Sequence, residues 1–530
     1  MKNITILKRI LLTSTILLGV SCTNLEEEVL DGYLNDNTSG GNVNTTSLLK
    51  TAYRGLRDFQ SQDMMFALDE ITSDAIVGPT RGGDWDDNGQ WRELHTHTWS
   101  PDHVLIKNSW NSLLSQVYNC NQVVENSTNA SEIVEARFLR AFYYYNIIDL
   151  FGQVPYRPAG SRLEDDPLVW TRSEATAFVI SELEAIISSL PARVAGDPSI
   201  ANADAGHFLL AKLYLNKGVF DSASSAGPYA FSSADMTKVV THVESISGGL
   251  ASNYWDNFAP QNNTSNEILF TSKNVLGDAG NIQSRWRMAT HYAQVPSGWN
   301  GFATVSDYYS TFNSSDARRS YSTPDIIKNF GNPIGFQEGQ MYKPEGMYDD
   351  DFDETTPDVF YAGGTFKVLD RIKTTANPNG QPLIYTSAVS MITEGLTLES
   401  AGVRPMKYQP DINNIDAPDN DYVLMRYSDA LLMKAEAIAR GGSGSLGTIA
   451  ADLAARTNLP AVDLTNLDVI YAERGRELWH EGWRRNDMVR FGTYLNQRGL
   501  KPYVSASKYV LFPIPADALF NANLKQNPGY

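Results

Sequence analysis

The first clear pattern of apolar positions along the chain lies between Ser131 and Leu150. Apolar residues recur there at steps of four, three, four and three, in the order Val134, Phe138, Ala141, Tyr145 and Ile148. This spacing forms one face of a helix with 3.6 residues per turn. Gly152 and Pro155 follow the pattern and end the helix.

Two further helices are predicted downstream of this one. Thr171 and Glu174 form a capping box, in which each side chain accepts from the other residue's backbone amide. The helix that they open ends at Pro191, and a third helix covers Ala203–Asn216. Helix pairs with short breaks between them are similar to tetratricopeptide units.

Residues 220–415 have a different pattern. They hold stretches rich in Gly, Asn, Ser and Asp, interrupted by short apolar runs such as Ile268–Phe270. Loops with short strands are expected there. Helical spacing returns at Leu424–Arg440 and at Leu467–Phe491. The fold class predicted is mainly α, with a loop-rich region that carries short strands.

The N-terminus is interpreted as a targeting signal and not as part of the folded domain. Residues 1–21 combine positive residues with a short apolar run, as a secretory signal does. Cys22 follows the small residue Ser21 at the expected cleavage point and is a candidate for lipidation. An ordinary signal peptide with a chance cysteine is the alternative. Residues 22–42 are acidic and polar and are interpreted as a tether.

Charge and cysteine content exclude several classes of protein. The net charge is −18, with no basic run, so binding to nucleic acid is not expected. The two cysteines, Cys22 and Cys120, cannot form a disulfide framework, and Cys120 is expected to be free and buried. The G-x-G-x-x-G match at Gly442–Gly447 follows a helix rather than a strand, so it predicts a linker. No cofactor is expected.

Two motifs near residue 90 resemble metal sites. His95, His97 and His103 could bind a metal ion, but hydrogen-bonded imidazoles are the favoured interpretation. Asp84, Asp86 and Asn88 match the first half of a calcium loop, but His95 stands where the loop needs its bidentate Glu. A looser calcium site stays an alternative, and no metal ligand is assigned.

Acidic and basic residues alternate with tryptophans in the segment Glu473–Gly492. On a single helix, spacings of three residues would join Glu481 to Arg484, Arg484 to Asp487 and Asp487 to Arg490. The segment therefore predicts a partly buried ion-pair network. We expect this network to hold the last helix onto the scaffold.

The same segment resembles the C-terminal signature of the SusD/RagB family of Bacteroidetes nutrient-uptake lipoproteins. Stretches that agree with the family run in order along the chain: Trp110–Asn121, Glu135–Phe142, Asp149–Pro155, Tyr422–Ala437, Pro513–Pro515 and Gln526–Tyr530. The resemblance implies a helical fold with tetratricopeptide-like pairs and no catalysis. It also implies a lipid anchor in the outer membrane, an oligosaccharide ligand, and a SusC-type TonB-dependent transporter as partner.

Tryptophans on polar loops are the candidate ligand contacts. An aromatic ring covers the apolar face of a sugar, while Asp, Asn and Arg bind its hydroxyl rim. The loop 81–91 fits this chemistry and contributes the candidates Arg81, Asp84, Trp85, Asn88 and Trp91. Trp286 and Trp299 form a second group, of which Trp299 is flanked by glycines at 298 and 301.

The predicted organisation has three regions after the tether. Residues 43–219 form an N-terminal helical region, 220–415 a loop-rich ligand-binding region, and 416–530 a C-terminal signature region. The function expected is capture of a glycan at the cell surface and its delivery to the transporter. The alternatives are the same role for a non-glycan nutrient such as peptides, a glycoside hydrolase lipoprotein, and an assembly protein without a small ligand.

Overall fold

Long helices build the N-terminal half of the computed structural model, which describes residues 43–158, 161, 165–344, 366–370, 372–378, 380–521 and 523–530. Successive helices pack against one another, as the predicted helix pairs require. Their bounds are α1 Thr45–Arg54, α2 Gln90–Thr96, α3 Val104–Asn126, α4 Ala130–Leu150, α5 Arg172–Ile186, α6 Ala203–Phe220 and α7 Ser233–Glu244. The helix predicted at Ser131–Leu150 is confirmed as α4, and the capping box of Thr171 and Glu174 opens α5.

The middle of the chain forms short strands joined by loops, as predicted. Among the described residues the strands pair two by two, except for one three-stranded sheet. In it, Ile334–Gln337 lies between Arg404–Met406 and Ser320–Tyr321. They are β1 Ile76–Val77, β2 Thr80–Arg81, β3 Val154–Tyr156, β4 Leu168–Trp170, β5 Ile268–Ser272, β6 Ala303–Thr304, β7 Ser320–Tyr321, β8 Ile334–Gln337, β9 Gly339–Gln340, β10 Tyr342–Lys343, β11 Phe366–Lys367, β12 Ile384–Tyr385, β13 Ile392–Thr393, β14 Arg404–Met406 and β15 Tyr422–Arg426. Short helices lie among them: α8 Ser284–Arg287, α9 Ser306–Tyr309 and α10 Pro324–Phe330.

Two of the predicted C-terminal helices have different bounds. The helix expected from Leu424 begins only at Tyr427, because Tyr422–Arg426 pairs with β5 as strand β15. The prediction of a single helix at Leu467–Phe491 is wrong, because the structure has two helices there. The structure has α11 Tyr427–Ala439, α12 Ile449–Ala454, α13 Leu467–Glu477 and α14 Arg484–Arg490.

The break between α13 and α14 has a backbone cause. His480 and Gly482 adopt left-handed conformations, with φ of 63° and 79°. This geometry ends a right-handed helix. Of the three predicted ion pairs, only Asp487 with Arg490 forms, at 2.7 Å. Glu481 and Arg484 bind partners in other parts of the chain.

The C-terminal tail returns to the N-terminal helices. The Asn527 side chain donates to the carbonyl of Phe151 at 2.9 Å, and the backbone amide of Phe512 donates to Leu150 at 2.8 Å. The Trp99 indole donates to the Tyr530 hydroxyl at 2.8 Å. The tail therefore belongs to the core rather than to a peripheral segment.

Residues Thr45–Tyr530 form one compact unit. The boundaries predicted at residues 219 and 415 stay a prediction. The predicted signal, the tether and Cys22 lie outside the described residues. Within the described part of the chain, none of the helices combines the length and the apolar character needed to cross a membrane. Cys120 is free and buried, as predicted, and burial raises the pKa of its thiol to about 12.

Candidate functional site

Three loops that are distant in sequence meet around the Arg81 side chain. Its guanidinium donates to the carbonyls of Gly301, Leu398 and Ala401 at 2.9, 3.0 and 3.1 Å. Strand β2, which contains Arg81, also pairs in parallel with β13. Arg81 is buried. The buried Arg81 side chain therefore links the three loops through its hydrogen bonds.

Trp85 and Trp299 form the surface that these loops carry, which we call the tryptophan platform. The Trp85 indole donates to the Trp299 carbonyl at 2.8 Å. The half-buried Trp85 ring packs against Trp91 and Phe302, with centroids at 5.7 and 5.1 Å. Trp299 is 39% exposed. The half-buried Trp85 ring and the exposed Trp299 are thus joined through the backbone of Trp299.

The approach of Trp85 requires a glycine at position 301. A Cβ built on Gly301 would lie 2.3 Å from the Cε2 atom of Trp85. Gly301 also closes the loop that carries Trp299, since its amide donates to the carbonyl of Met288 at 3.0 Å. The glycine flanking Trp299 therefore makes room for the ring of the other tryptophan.

Polar groups around the platform divide into free and engaged ones. Asp84 and Asn88 are exposed beside Trp85. Asp86 pairs with Arg92 at 2.6 Å, and the Trp91 indole donates to Asp87 at 2.6 Å. Arg92 thus holds one oxygen of the carboxylate that a calcium ion would need at the third position of the candidate loop.

A second polar group under the platform was not predicted from the sequence. Glu399 accepts a hydrogen bond from the Tyr292 hydroxyl and lies 2.7 Å from Nε2 of His291. Burial raises the pKa of Glu399 to about 7; Asp84 adds to this shift, and Arg404 and Arg81 oppose it. The half-buried Tyr292 ring packs against the His291 ring at a tilt of 36°, with centroids at 3.8 Å. No local motif marks Glu399, because the chain brings it here from the segment after β13.

The predicted contact residues therefore separate by exposure. Asp84, Trp85, Asn88 and Trp299 come together at the surface. The other three are buried, Trp286 completely so in α8. They are Arg81, Trp91 and Trp286. Two exposed apolar residues that the sequence analysis missed lie in and just after β13: Ile392 of the strand, at 51%, and Leu396, at 62%.

The three clustered histidines bond to backbone carbonyls, as the favoured interpretation has it. Nδ1 of His95 lies 3.2 Å from the carbonyls of both Ile71 and Ile76. Nε2 of His97 and of His103 lie 2.9 and 3.1 Å from backbone carbonyls. Burial lowers the pKa of His95 to about 4. No group of three potential metal-ligating side chains is found among the described residues.

The signature segment contributes to a buried cluster of charges, which we call the glutamate cluster. Glu477 accepts from Arg318, Arg426 and Arg456 at 3.0, 2.6 and 2.5 Å. Burial alone would raise the pKa of Glu477, but Arg456, Arg426 and Arg318 outweigh it and hold that pKa well below its usual range. Glu481 accepts from Lys407 at 2.8 Å and from Arg426. All of these side chains are buried, so their role is structural.

Comparison with known proteins identifies the family. The model of the SusD family matches residues 266–530, half of the chain. A second family model, described as "starch-binding associating with outer membrane", matches residues 30–215. The chain therefore belongs to the SusD family.

Two relatives illustrate the likeness in sequence. Starch-binding protein SusD of Bacteroides thetaiotaomicron is 26% identical over 488 residues, which cover 84% of this chain and 82% of that protein. SusD-like protein P2 of Formosa agariphila is 26% identical over 159 residues, or 28% of this chain and 31% of the relative.

Solved structures share the fold. Surface glycan-binding protein A from Bacteroides thetaiotaomicron, in complex with laminarihexaose, superposes with a TM-score of 0.62 at 18% identity, covering 91% of this chain and 98% of that one. A SusD superfamily protein from Parabacteroides distasonis gives a TM-score of 0.65 at 17% identity, over 92% and 98% of the two chains. The predicted SusD-like helical fold is confirmed.

Proposed function

We propose that this protein binds an oligosaccharide at the tryptophan platform. The observation that carries the proposal is the pairing of Trp85 and Trp299 on loops joined by Arg81. Two aromatic faces next to exposed Asp84 and Asn88 offer a sugar both an apolar surface and hydrogen-bonding partners for its hydroxyls.

The contacts that we propose are the exposed residues Asp84, Asn88 and Trp299 and the half-buried Trp85. Arg81 and Trp91 lie beneath these residues. The Arg81 guanidinium donates to three backbone carbonyls, and the Trp91 ring packs against the Trp85 ring. Trp286 is buried and receives no binding role.

The family supports a wider role for this binding. One family model that matches this chain is described by starch binding and association with the outer membrane. A structural neighbour is a glycan-binding protein in complex with laminarihexaose. We extend these properties to this chain: a lipid on Cys22 anchors it at the outer-membrane surface, and it passes its ligand to a SusC-type TonB-dependent transporter without cleaving it.

Two alternatives lead to different observations. A peptide-binding member of the same fold would bind peptide libraries and leave oligosaccharides unbound. A glycoside hydrolase would release reducing sugar from a glycan. The family relatives are binding proteins by name, which favours retention over cleavage.

Calorimetric titration with laminarihexaose and with a malto-oligosaccharide tests the proposal. Replacing either platform residue, Trp85→Ala or Trp299→Ala, should weaken binding about tenfold, since one stacked ring contributes about 1 kcal/mol or more. Phe520→Ala is the matched control, because Phe520 is a fully exposed ring far along the chain.

Thermal melting separates binding from folding. Trp299→Ala should leave the melting temperature unchanged, because the Trp299 side chain is exposed and only its carbonyl holds Trp85. Wild-type affinity in both tryptophan variants, for a glycan that the protein binds, would contradict the assignment of the platform.

A further inference from the structure

A second concave surface lies apart from the tryptophan platform. Its volume is about 270 Å³, and it shares no lining residue with the platform. Four segments form it: the turn 255–260, strand β7, helix α10 and residues 409–412.

One wall of this pocket is aromatic and held in place. The half-buried Tyr321 ring lies parallel to Trp255, with an interplanar angle of 13° and centroids 6.3 Å apart. Trp255 is buried, and its indole donates to the carbonyl of Ala317 at 2.8 Å. Tyr321 lines the pocket, so its ring offers a flat aromatic surface there.

The opposite rim carries hydrogen-bonding groups on a fixed backbone. The backbone amide of Gln409 donates to the backbone carbonyl of Phe258 at 3.0 Å. The Asn420 side chain donates to the backbone carbonyl of Gln409 at 3.1 Å. The Asp411 carboxylate accepts from the Asn413 amide at 2.9 Å and from the Asn414 side chain at 3.1 Å. Each carboxylate oxygen keeps a lone pair for a further donor.

The charge of the lining limits the class of ligand. Asp256, Asp325 and Asp411 line the pocket, and none of the described residues that line it is lysine or arginine. An anionic ligand would be repelled. Asp256 and Asp411 already accept N–H donors, so hydroxyl groups suit them as further donors.

We propose that this pocket binds a single uncharged pyranose ring, as a second sugar site on the protein. Tyr321 covers one face of the ring, while Asp256, Asp411, Gln409 and Asn329 bind its hydroxyls. The proposal takes its class of ligand from the proposed function but does not depend on the platform, since the two surfaces share no residue.

Saturation-transfer NMR tests the pocket in a Trp85→Ala/Trp299→Ala background, which removes the platform. The probes are methyl β-D-glucopyranoside, methyl β-D-galactopyranoside, glucuronic acid and glucosamine. We expect saturation transfer to at least one neutral glycoside and none to glucuronic acid. Equal signals from the acid, or a signal from glucosamine alone, would overturn the proposal.

Variants in the pocket complete the test. Tyr321→Ala should weaken binding of the neutral glycoside about tenfold, the loss expected for one stacked ring. Asn329→Leu keeps the aromatic wall and removes a polar group from α10, and it should also weaken binding. Tyr503→Ala is the matched control, because Tyr503 is 42% exposed and lies outside the pocket.

The outcomes distinguish this proposal from the proposed function. If the background variant binds no neutral glycoside, or if Tyr321→Ala and Asn329→Leu both bind as well as Tyr503→Ala, the pocket is not a sugar site. If titration shows that the platform variants bind long glycans like wild type while Tyr321→Ala alone reduces binding, the platform assignment fails and the pocket stands.

Discussion

Trp85 and Trp91 are alike in sequence context but differ in what they can contact. Both lie in a polar, glycine-rich loop, which is the signal from which a sugar site was predicted. Trp85 reaches the surface because its backbone is left-handed, with φ of 59°, whereas Trp91 is the second residue of helix α2 and faces the core. Residue type therefore indicated the chemistry, but exposure depended on a backbone conformation that no local pattern encodes.

Gly301 gives a test of the platform that leaves both tryptophans in place. Gly301→Ala would put a methyl group 2.3 Å from the Trp85 ring and 2.8 Å from the carbonyl oxygen of Met288, so the ring must shift from its present position. We expect laminarihexaose binding to fall about tenfold, as for loss of one stacked ring. Calorimetric titration of the variant measures the loss.

Gly83→Ala is the control for this substitution. Gly83 lies in the Trp85 loop, its φ is not in the left-handed region, and a Cβ there would meet nothing within 4 Å. It should bind laminarihexaose like wild type. If Gly301→Ala also binds like wild type, the position of the Trp85 ring does not matter for the ligand.

At the scale of elements, the helices were predicted well wherever apolar spacing was continuous. Helix α4 follows its pattern because the pattern describes one buried face. The prediction of a single helix at Leu467–Phe491 is wrong because the charged residues of this segment bind distant partners rather than one another. Glu481 reaches Lys407 and Arg426, and Arg484 reaches Asp74, which requires the chain to turn between α13 and α14.

The pair of Arg484 with Asp74 predicts how α14 is held. Two hydrogen bonds of 2.7 Å join them, and the guanidinium lies 4.3 Å from the Tyr471 ring centroid. Arg484→Ala should lower the free energy of unfolding by about 1–3 kcal/mol, because it leaves the partly exposed Asp74 carboxylate without its partner. Chemical denaturation at neutral pH measures the change.

Two further variants show whether the charge pair is the cause. Arg54→Ala breaks a pair with Asp278 in which both side chains are largely exposed, and it should cost about 1 kcal/mol or less. Adding Asp74→Ala to Arg484→Ala should recover part of the lost stability. A double variant as unstable as the sum of the two single ones would contradict the pairing.

The sign of the pH dependence follows from Asp74. Burial alone would raise its pKa, but Arg484 outweighs burial and lowers it. The stabilisation by this pair is therefore present above the unfolded pKa of about 3.9 and is lost as the pH falls through the lower folded value. The difference in the free energy of unfolding between wild type and Arg484→Ala should therefore become smaller only at acidic pH.

At the scale of the whole molecule, the family resemblance predicted the fold, but the sequence did not show how the regions depend on each other. The charges that connect them are far apart along the chain. Lys212 of α6 pairs with Asp429 of α11 at 2.6 Å, and Asp149 of α4 pairs with Arg485 of α14 at 2.8 Å. Periodicity cannot predict such contacts, because each partner looks like an ordinary surface charge in its own segment.

This dependence predicts that residues 45–219 will not fold alone. The fragment would leave Lys212, Asp149 and Asp74 without the partners that they have in residues 420–490. It would also expose to water the apolar faces that pack against residues 420–530, such as the Phe208 side chain against Trp483. Each apolar side chain so exposed costs about 1.5–3 kcal/mol, and the whole stability of a typical domain is about 5–15 kcal/mol. Circular dichroism of the purified fragment should show no cooperative thermal transition.

Co-expression with residues 220–530 is the matching experiment. The two fragments should then purify together and melt in one transition, since the second supplies the missing partners. A fragment 45–219 that melts cooperatively by itself, with its charges intact, would mean that the N-terminal helices are an independent domain.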